Sequence, residues 1–188
     1  MPALVAVALL GMSLVACTPA PALTIPTEPT GPLMSGAPLS ASDQTALFRL
    51  TLTSDRDRYR AGQTIQIGAE LTYLGADAVT ASGSGTLVGF GVASDAAGVN
   101  LEPIFTADCA RHPFAAGDAV SYPFSKSGGG VAPNDPLAPF YQAYFSSPDL
   151  RLPAGTWTIS AQTTIYPNPD CGGRPIGLSV SLKVGIEP

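Results

Sequence analysis

Three cysteines and one histidine are the side chains of this 188-residue chain best suited to covalent or metal chemistry. Cys109 and Cys171 lie in the stretches TADCARHPF and NPDCGGRP, whose Gly and Pro residues are typical of connecting loops. In an exported protein, where the surroundings are oxidising, we expect these two thiols to form a disulfide. A bond that closes a loop of about 60 residues contributes up to about 4 kcal/mol on the loop-entropy model. Two free thiols are the alternative.

The single histidine, His112, follows Cys109 by three positions and could join the two cysteines as a third metal ligand. A disulfide would consume both thiols, and structural zinc sites use four ligands. We therefore predict no metal site and no cofactor, and we expect His112 to be a partly exposed loop residue.

Two aspartates, Asp55 and Asp57, alternate with Arg56 and Arg58 in the stretch SDRDRY. A calcium loop concentrates carboxylate oxygens around a Gly turn, whereas here the neighbouring arginines partly neutralise the carboxylates. We expect a solvated entry into a strand rather than a calcium site.

The Gly-rich stretch SKSGGGVAPNDPLAP (125–139) contains a lysine but lacks the spacing of a phosphate-binding loop. It predicts a long connection between strands. Because binding residues are commonly carried by long loops on a rigid scaffold, this connection is our best candidate for a functional surface.

The stretch FYQAYF that follows (140–145) has apolar residues on both faces and predicts a buried strand or a sticky sheet edge. Tyr141, Tyr144 and Phe145 could form an aromatic binding platform together with Trp157. Trp157 opens a predicted strand, however, and is therefore expected in the core.

Hydrolytic catalysis has little support in this sequence. One histidine would have to serve any Ser or Cys nucleophile, and the G-x-S-x-G turn of many hydrolases is missing. Nothing in the sequence places two carboxylates together in a cleft. We therefore predict that the protein is not an enzyme, and a small hydrolase is the least supported alternative.

Composition narrows the class of partner. The formal net charge is −5, and the nine Lys and Arg residues form no run. Nucleic acid and anionic lipid are recognised by concentrated positive charge, so neither a nucleic-acid surface nor a polybasic lipid patch is expected. With 20 Gly, 19 Pro and only 12% charged residues, the chain predicts many turns and little helix.

The amino terminus carries an uninterrupted apolar run, ALVAVALLGMSLV (3–15). As a helix it would span about 20 Å, which is short of the roughly 30 Å membrane core and typical of a secretory signal peptide. The stretch LVAC (14–17) resembles the lipobox of bacterial lipoproteins. The resemblance implies that residues 1–16 are removed and that Cys17 is lipidated and becomes the new amino terminus. MPAL lacks the usual Lys or Arg, a departure that points to a start upstream or to a weak export signal.

Residues 17–44 predict a disordered tether, because six prolines and no periodic apolar face follow Cys17. At about 3.1 Å per residue, this tether would hold a domain up to about 80 Å from its anchor. We expect a cell-envelope protein, lipid-anchored to the outer face of the plasma membrane or to the outer membrane, with an extracytoplasmic body. The expected partners are the membrane, through the lipid, and a protein.

Residues 45–188 predict an all-β domain. In TIQIGAELTY (64–73), apolar side chains occupy every second position, which is typical of a half-buried strand. The same alternation recurs in FRLTLT, LVGFGVA, WTISAQTTI and IGLSVSLKVGI, and around Val120, Tyr122 and Phe124. About seven or eight strands without crossover helices predict an antiparallel two-sheet sandwich, and a small barrel is the alternative.

The stretch SDRDRYRAGQTIQI (54–67) resembles the strand-entry motif of several extracellular immunoglobulin-like sandwich families, including macroglobulin-type domains. Together with GFGVASDAAG, FAAGDAVSYPF and LPAGTWTI, it is similar to the bacterial intracellular proteinase inhibitor family over roughly residues 45–187. The resemblance implies an immunoglobulin-like β-sandwich. We expect an extracytoplasmic lipoprotein whose sandwich is a non-catalytic binding or structural module. The alternative is a proteinase inhibitor that acts through a surface loop such as 125–139.

Overall fold

The chain folds into two facing β-sheets. A computed structural model describes residues 23–26, 36–128, 132 and 134–188, and the elements named below belong to those ranges. The strands are β1 (Leu39–Gln44), β2 (Phe48–Ser54), β3 (Arg58–Arg60), β4 (Ile67–Tyr73), β5 (Val79–Ser94), β6 (Val99–Leu101), β7 (Ala110–Phe114), β8 (Ala119–Pro123), β9 (Gly155–Tyr166) and β10 (Ile176–Glu187), and the helix α1 (Ala138–Phe145) lies between β8 and β9. In these ranges, no helix has the length and apolar character needed to span a membrane.

One sheet has the strand order β1-β2-β4-β8, and the other has the order β3-β10-β9-β5-β6, with β7 paired to the first half of β5. Neighbouring strands are antiparallel except for the short parallel pair of β3 and β10. Strands β2-β4-β8 facing β10-β9-β5 correspond to strands A-B-E facing G-F-C of an immunoglobulin-like sandwich. The structure confirms the predicted all-β sandwich, although its described part has ten strands where about seven or eight were predicted.

The period-two pattern of the sequence forms the core. In β4, Ile67, Ala69, Leu71 and Tyr73 are buried, while Glu70 is exposed. Strands β2, β9 and β10 show the same alternation. Because successive side chains on a strand point to opposite faces, the apolar sets of the two sheets meet between them.

The ordered sheet begins earlier than the sequence predicted. Strand β1 lies inside the range assigned to the tether, so the boundary at residue 45 is wrong. LSASDQ carries little apolar surface, and its place in the sheet comes from the backbone ladder that it forms with β2. Asp43 adds a link to the other sheet, because its Oδ2 atom accepts a hydrogen bond from the Ser179 amide at 3.0 Å.

Strand β8 does not bury the face that its sequence predicted. Val120 is 38% exposed, and Tyr122 is only half-buried. The physical reason is position, since β8 is the last strand of its sheet and pairs with β4 alone. An edge strand has a neighbouring strand on one side only, so its side chains lie at the rim of the sheet and an alternating sequence there does not guarantee burial.

The stretch FYQAYF is a helix, so its prediction as a buried strand or a sheet edge is wrong. Helix α1 has a proline in its first turn, where a missing N–H group costs nothing. Phe140 and Tyr144 are four residues apart and are both buried, as expected for one face of a helix. The Phe140 ring stacks on Trp157 of β9, with centroids 5.6 Å apart. Aromatic packing on the sandwich therefore stabilises a helix that is too short to be stable alone.

Candidate functional site

A glycine-rich stretch in the middle of β5 forms the floor of the candidate site. Strand β5 pairs with β9, but the register shifts between Gly83 and Val88. A Cβ atom at Gly83 would lie 2.8 Å from Leu87 Cδ2 and 3.0 Å from the Thr164 carbonyl oxygen. A side chain at position 83 would crowd both atoms at this bulge, which interrupts the ladder between the two strands.

The segment between β6 and β7, residues 102–109, lies across the outer face of β5. A Cβ atom at Gly89 would lie 2.6 Å from Pro103 Cβ and 2.9 Å from Phe105 Cζ. The absence of a side chain at Gly89 therefore allows this covering segment to pack directly on the strand.

Ser84, Thr106 and Asp108 connect the covering segment to β5. The Thr106 amide donates to Ser84 Oγ at 3.2 Å, and the two hydroxyl oxygens are 2.8 Å apart. Asp108 Oδ1 accepts from the Thr106 hydroxyl at 2.6 Å and from the Gly85 amide at 3.0 Å. These bonds stabilise the charged carboxylate and lower the pKa of Asp108, with the Thr106 hydroxyl as the largest cause.

The predicted disulfide is present and closes one end of the site. Cys109 and Cys171 are bonded, with their Cα atoms 5.9 Å apart. Both have positive φ angles, 42° and 56°, and no other non-glycine residue in the described ranges does. The Cys171 amide donates to Ser82 Oγ at 2.9 Å, and that hydroxyl donates to the Asn168 carbonyl at 2.6 Å. Because a Cβ atom disfavours this backbone region by about 1–2 kcal/mol, the disulfide and these hydrogen bonds must hold the loops in place.

A cavity of about 380 Å³ lies between the bulge of β5, the covering segment and the disulfide. Two aromatic rings line it, those of Phe105 and Tyr166, together with the hydroxyls of Ser84, Thr106 and Thr164. None of the described residues that line it is charged. This volume and this mixture of apolar walls with a few polar groups are typical of small-molecule sites. We call this space the disulfide cavity.

A second cavity, of about 190 Å³, continues the first along β5. The two share Ser84, Phe105 and Thr106, and the second reaches Ile104 and Lys126. Ile104 is 66% exposed, which is unusual for a large apolar side chain in the described part of this protein. The two cavities adjoin at these shared residues, and we call them together the groove; none of the described residues that line its disulfide end is charged, and Lys126 is among the residues that line the other end.

His112 lies in strand β7, so its prediction as a loop residue is wrong. Its Nε2 atom is 3.0 Å from the Ser84 carbonyl oxygen, and it carries the proton if this contact is a hydrogen bond. The ring therefore supports the strand below the cavity. With both cysteines in the disulfide, the set of Cys109, His112 and Cys171 offers no thiolate to a metal. Across the described ranges, no group of three or more His, Cys, Asp and Glu residues is placed to hold a metal ion.

Asp55 and Asp57 are used separately at the entry to β3. Asp55 accepts a hydrogen bond of 2.5 Å from the Tyr59 hydroxyl and forms an ion pair with Arg56 at 2.7 Å. Burial, followed by the hydrogen bond to Asp55, raises the pKa of Tyr59 to about 12. Asp57 Oδ1 instead accepts from the Ala37 amide at 3.0 Å. The two carboxylates therefore stabilise local structure in different places.

The beginning of the 125–139 connection is tied to the body by Lys126. Its Nζ atom donates to the carbonyl oxygens of Tyr144, Ser147 and Asp149, at 2.5, 2.7 and 2.6 Å. The same ammonium group lies 4.3 Å from the centroid of the Tyr144 ring. Burial lowers the pKa of Lys126 to about 8, so the side chain remains charged at neutral pH. Residues 129–131 and 133 of this connection lie outside the described residues.

The aromatic residues near α1 do not form an exposed platform. Phe140, Tyr144 and Trp157 are buried, and Tyr141 and Phe145 are half-buried against the same core. The prediction that Trp157 belongs to the core is confirmed.

Sequence reasoning missed the groove as a whole and identified only its two cysteines and the start of the 125–139 connection, which lines the second cavity. A signal was present, because strand β5 contains two Gly-x-Gly stretches, Gly83 with Gly85 and Gly89 with Gly91. Glycines in a strand interior indicate a bulge or the close approach of another backbone, and both occur here. Cys17 lies outside the described residues, so its lipidation stays a prediction.

No known protein-family model matches this chain, and no curated protein sequence matches it.

Proposed function

We propose that this protein is an extracytoplasmic lipoprotein, anchored through lipid at Cys17, whose sandwich is a non-catalytic module that binds a small uncharged ligand. The observation that carries the binding part is the disulfide cavity, with its neutral walls beside a rigid cross-link. The resemblance of LVAC to a lipobox supports the anchor. A disulfide between Cys109 and Cys171 is typical of an oxidising compartment and supports export.

The ligand class follows from the lining. Burial of a charged group in a space without an opposite charge would be unfavourable, so the ligand is uncharged where it enters this cavity. The rings of Phe105 and Tyr166 favour an apolar or aromatic group. Thr164 can offer its hydroxyl proton to a polar atom of the same molecule, whereas the Ser84 and Thr106 hydroxyl protons are already used in bonds to Thr106 and Asp108.

Mass spectrometry of the protein from its own cells tests the anchor. We expect a mature amino terminus at Cys17 that carries a diacylglycerol group. A chain that retains its leader and has an unmodified thiol at Cys17 would overturn the anchor.

A neutral fluorescent probe, N-phenyl-1-naphthylamine, tests the cavity, because its emission increases in apolar surroundings. Ala107 lines the cavity and is exposed, so Ala107→Phe should fill part of this space without removing a hydrogen bond. Ala116 is exposed in the turn between β7 and β8, and Ala116→Phe is the matched control. We expect saturable binding by the wild type and by A116F, with an affinity at least tenfold lower for A107F.

Equal binding by both variants would show that the probe binds elsewhere, and lack of saturable binding would refute an apolar ligand site. The alternative of proteinase inhibition is tested by titrating a panel of proteases with the protein. A stoichiometric, saturable loss of protease activity would replace ligand binding by inhibition as the function.

A further inference from the structure

We propose that residues Leu23–Pro26 dock on the body beside α1, and that this docking holds the α1 face of the sandwich close to the lipid surface. The membrane part of this proposal rests on the lipid anchor proposed at Cys17. The docking itself stands on contacts within the described residues.

The first observation is the burial pattern of this short segment. Leu23 and Ile25 are half-buried and pack against the hydrophobic core, whereas Thr24 and Pro26 are exposed. Alternating burial is what an extended segment shows when one of its sides lies on a protein surface. Leu23–Pro26 therefore contacts the body like a short half-buried strand, although it pairs with no sheet.

The second observation is the surface that receives the segment. Ile25 and Pro26 line a cavity of about 180 Å³ together with Lys126, Tyr144 and Asp149. These are the residues that the Lys126 ammonium group connects, through its bonds to the Tyr144 and Asp149 carbonyls. The receiving surface is thus held together by a half-buried cation that bonds to three backbone carbonyls.

The third observation is a second attachment closer to β1. The Ala37 amide donates to Asp57 Oδ1 at 3.0 Å, two residues before β1 begins at Leu39. The range that the sequence assigned to a free tether therefore contacts the body at two separate places. Its prolines limit the freedom of the unbound chain, so less conformational entropy is lost when it docks.

The docking shortens the distance between the body and its proposed anchor. Cys17 and Leu23 are six residue steps apart, and a chain spans at most about 3.6 Å per step, which gives about 20 Å. A free tether from Cys17 to Leu39 would reach about 70 Å at about 3.1 Å per residue. The α1 face would then lie within about 20 Å of the lipid surface, and the body would not move freely above it.

The single tryptophan of the chain is a natural reporter of this distance. Trp157 stacks on Phe140, and Phe140 stacks on Tyr144 with centroids 5.8 Å apart, so the indole lies directly behind the docking surface. The lipidated protein is incorporated into phosphatidylcholine vesicles that contain a dansyl-labelled lipid, and energy transfer from tryptophan to dansyl is measured. The steep dependence of transfer on distance distinguishes a docking surface held within about 20 Å of the lipid from a body free to move up to about 70 Å away.

The test variant is Leu23→Gln/Ile25→Gln, which removes the apolar contacts without adding charge near the membrane. Thr24→Gln is the matched control, because Thr24 lies in the same segment and is exposed. We expect strong transfer for the wild type and for T24Q, and a reduction of at least threefold for L23Q/I25Q. Equal transfer by all three proteins would overturn the proposal.

Failure of the anchor can be separated from failure of the docking. If the protein carries no lipid and does not float with vesicles, the proposed anchor is wrong, and the docking is then tested in Cys17→Ser protein in solution. We expect nuclear Overhauser contacts between the Ile25 methyl groups and the Tyr144 ring, both of which line the same cavity. Their absence would overturn the docking itself.

Discussion

Removal of the Cys109–Cys171 disulfide should destabilise the sandwich by about 4 kcal/mol. The bond links residues 62 positions apart. On the loop-entropy model, a closed loop of that length lowers the entropy of the unfolded chain by about 14 cal/mol/K, which is about 4 kcal/mol at 25 °C. The native loops lose little else in Cys109→Ala/Cys171→Ala, because Ser82 still bonds to both the residue 171 amide and the Asn168 carbonyl.

The assay is equilibrium unfolding in urea, followed by the fluorescence of Trp157. This tryptophan is the only one in the chain and is 1% exposed, so its emission should shift strongly on unfolding. All proteins carry Cys17→Ser, so that neither lipid nor a third thiol interferes. The m-value should increase in C109A/C171A, because an unfolded chain without a cross-link exposes more surface. Unfolding free energies in water are therefore compared, rather than midpoints.

Ser82→Ala with the disulfide intact is the control for local contacts. It removes the two hydrogen bonds of the Ser82 hydroxyl and should cost about 1–3 kcal/mol without a change in m-value. A loss below about 1 kcal/mol in C109A/C171A, with an unchanged m-value, would refute the loop-closure reasoning. The unfolded chain would then keep residues 109 and 171 close together even without the bond.

Three further predictions concern the groove and its supports. Lys126→Met should lower the free energy of unfolding by about 2–3 kcal/mol, because three backbone carbonyls lose a charged donor. Urea unfolding measures this free energy, and a loss below about 1 kcal/mol would contradict the prediction. The Gly85 amide resonance should titrate with a midpoint below pH 3.8 in the wild type and should not titrate in Asp108→Asn. Because the pKa of Asp108 is lowered in the folded protein, its bond to Gly85 is present above this pKa and is lost as the pH falls through it. Gly89→Ala should lower the free energy of unfolding by about 1–3 kcal/mol, because its Cβ would clash with the covering segment. The control Gly177→Ala has open space around it and should change this free energy by less than about 0.5 kcal/mol. Equal effects of the two substitutions would argue against close packing on β5.

Much of the sandwich could be predicted because the burial pattern of a strand follows from the alternation of its own residues. In β4, the alternation from Ile67 to Tyr73 places one set of side chains on one face, and any fold that buries this face produces the same core. Trp157 was predicted correctly for the same reason. The disulfide could be predicted from its loops and from the predicted export, without knowledge of which strands those loops join.

Other features could not be predicted because they depend on position in the fold. Val120 continues an alternating pattern and is nevertheless exposed, since nothing in its own sequence shows that β8 is an edge strand. Phe140 and Tyr144 fit a strand or a helix equally well until the Trp157 ring is available as a stacking partner. In each case the outcome depends on how distant segments of the chain are placed in the fold.

The sequence by itself determined the all-β class, the alternating core and the cysteine pair, because these depend on residue type and on a period of two along the chain. Only the tertiary structure decided the groove, since it forms where the covering segment crosses a bulged strand beside the disulfide. Only the tertiary structure showed that Leu23–Pro26 contacts the body, because its receiving surface is assembled by Lys126 from backbone carbonyls about 20 residues further along the chain. Local patterns determine which face of a strand can be buried, whereas the exposure of an edge strand and the shape of a binding surface depend on where distant segments meet.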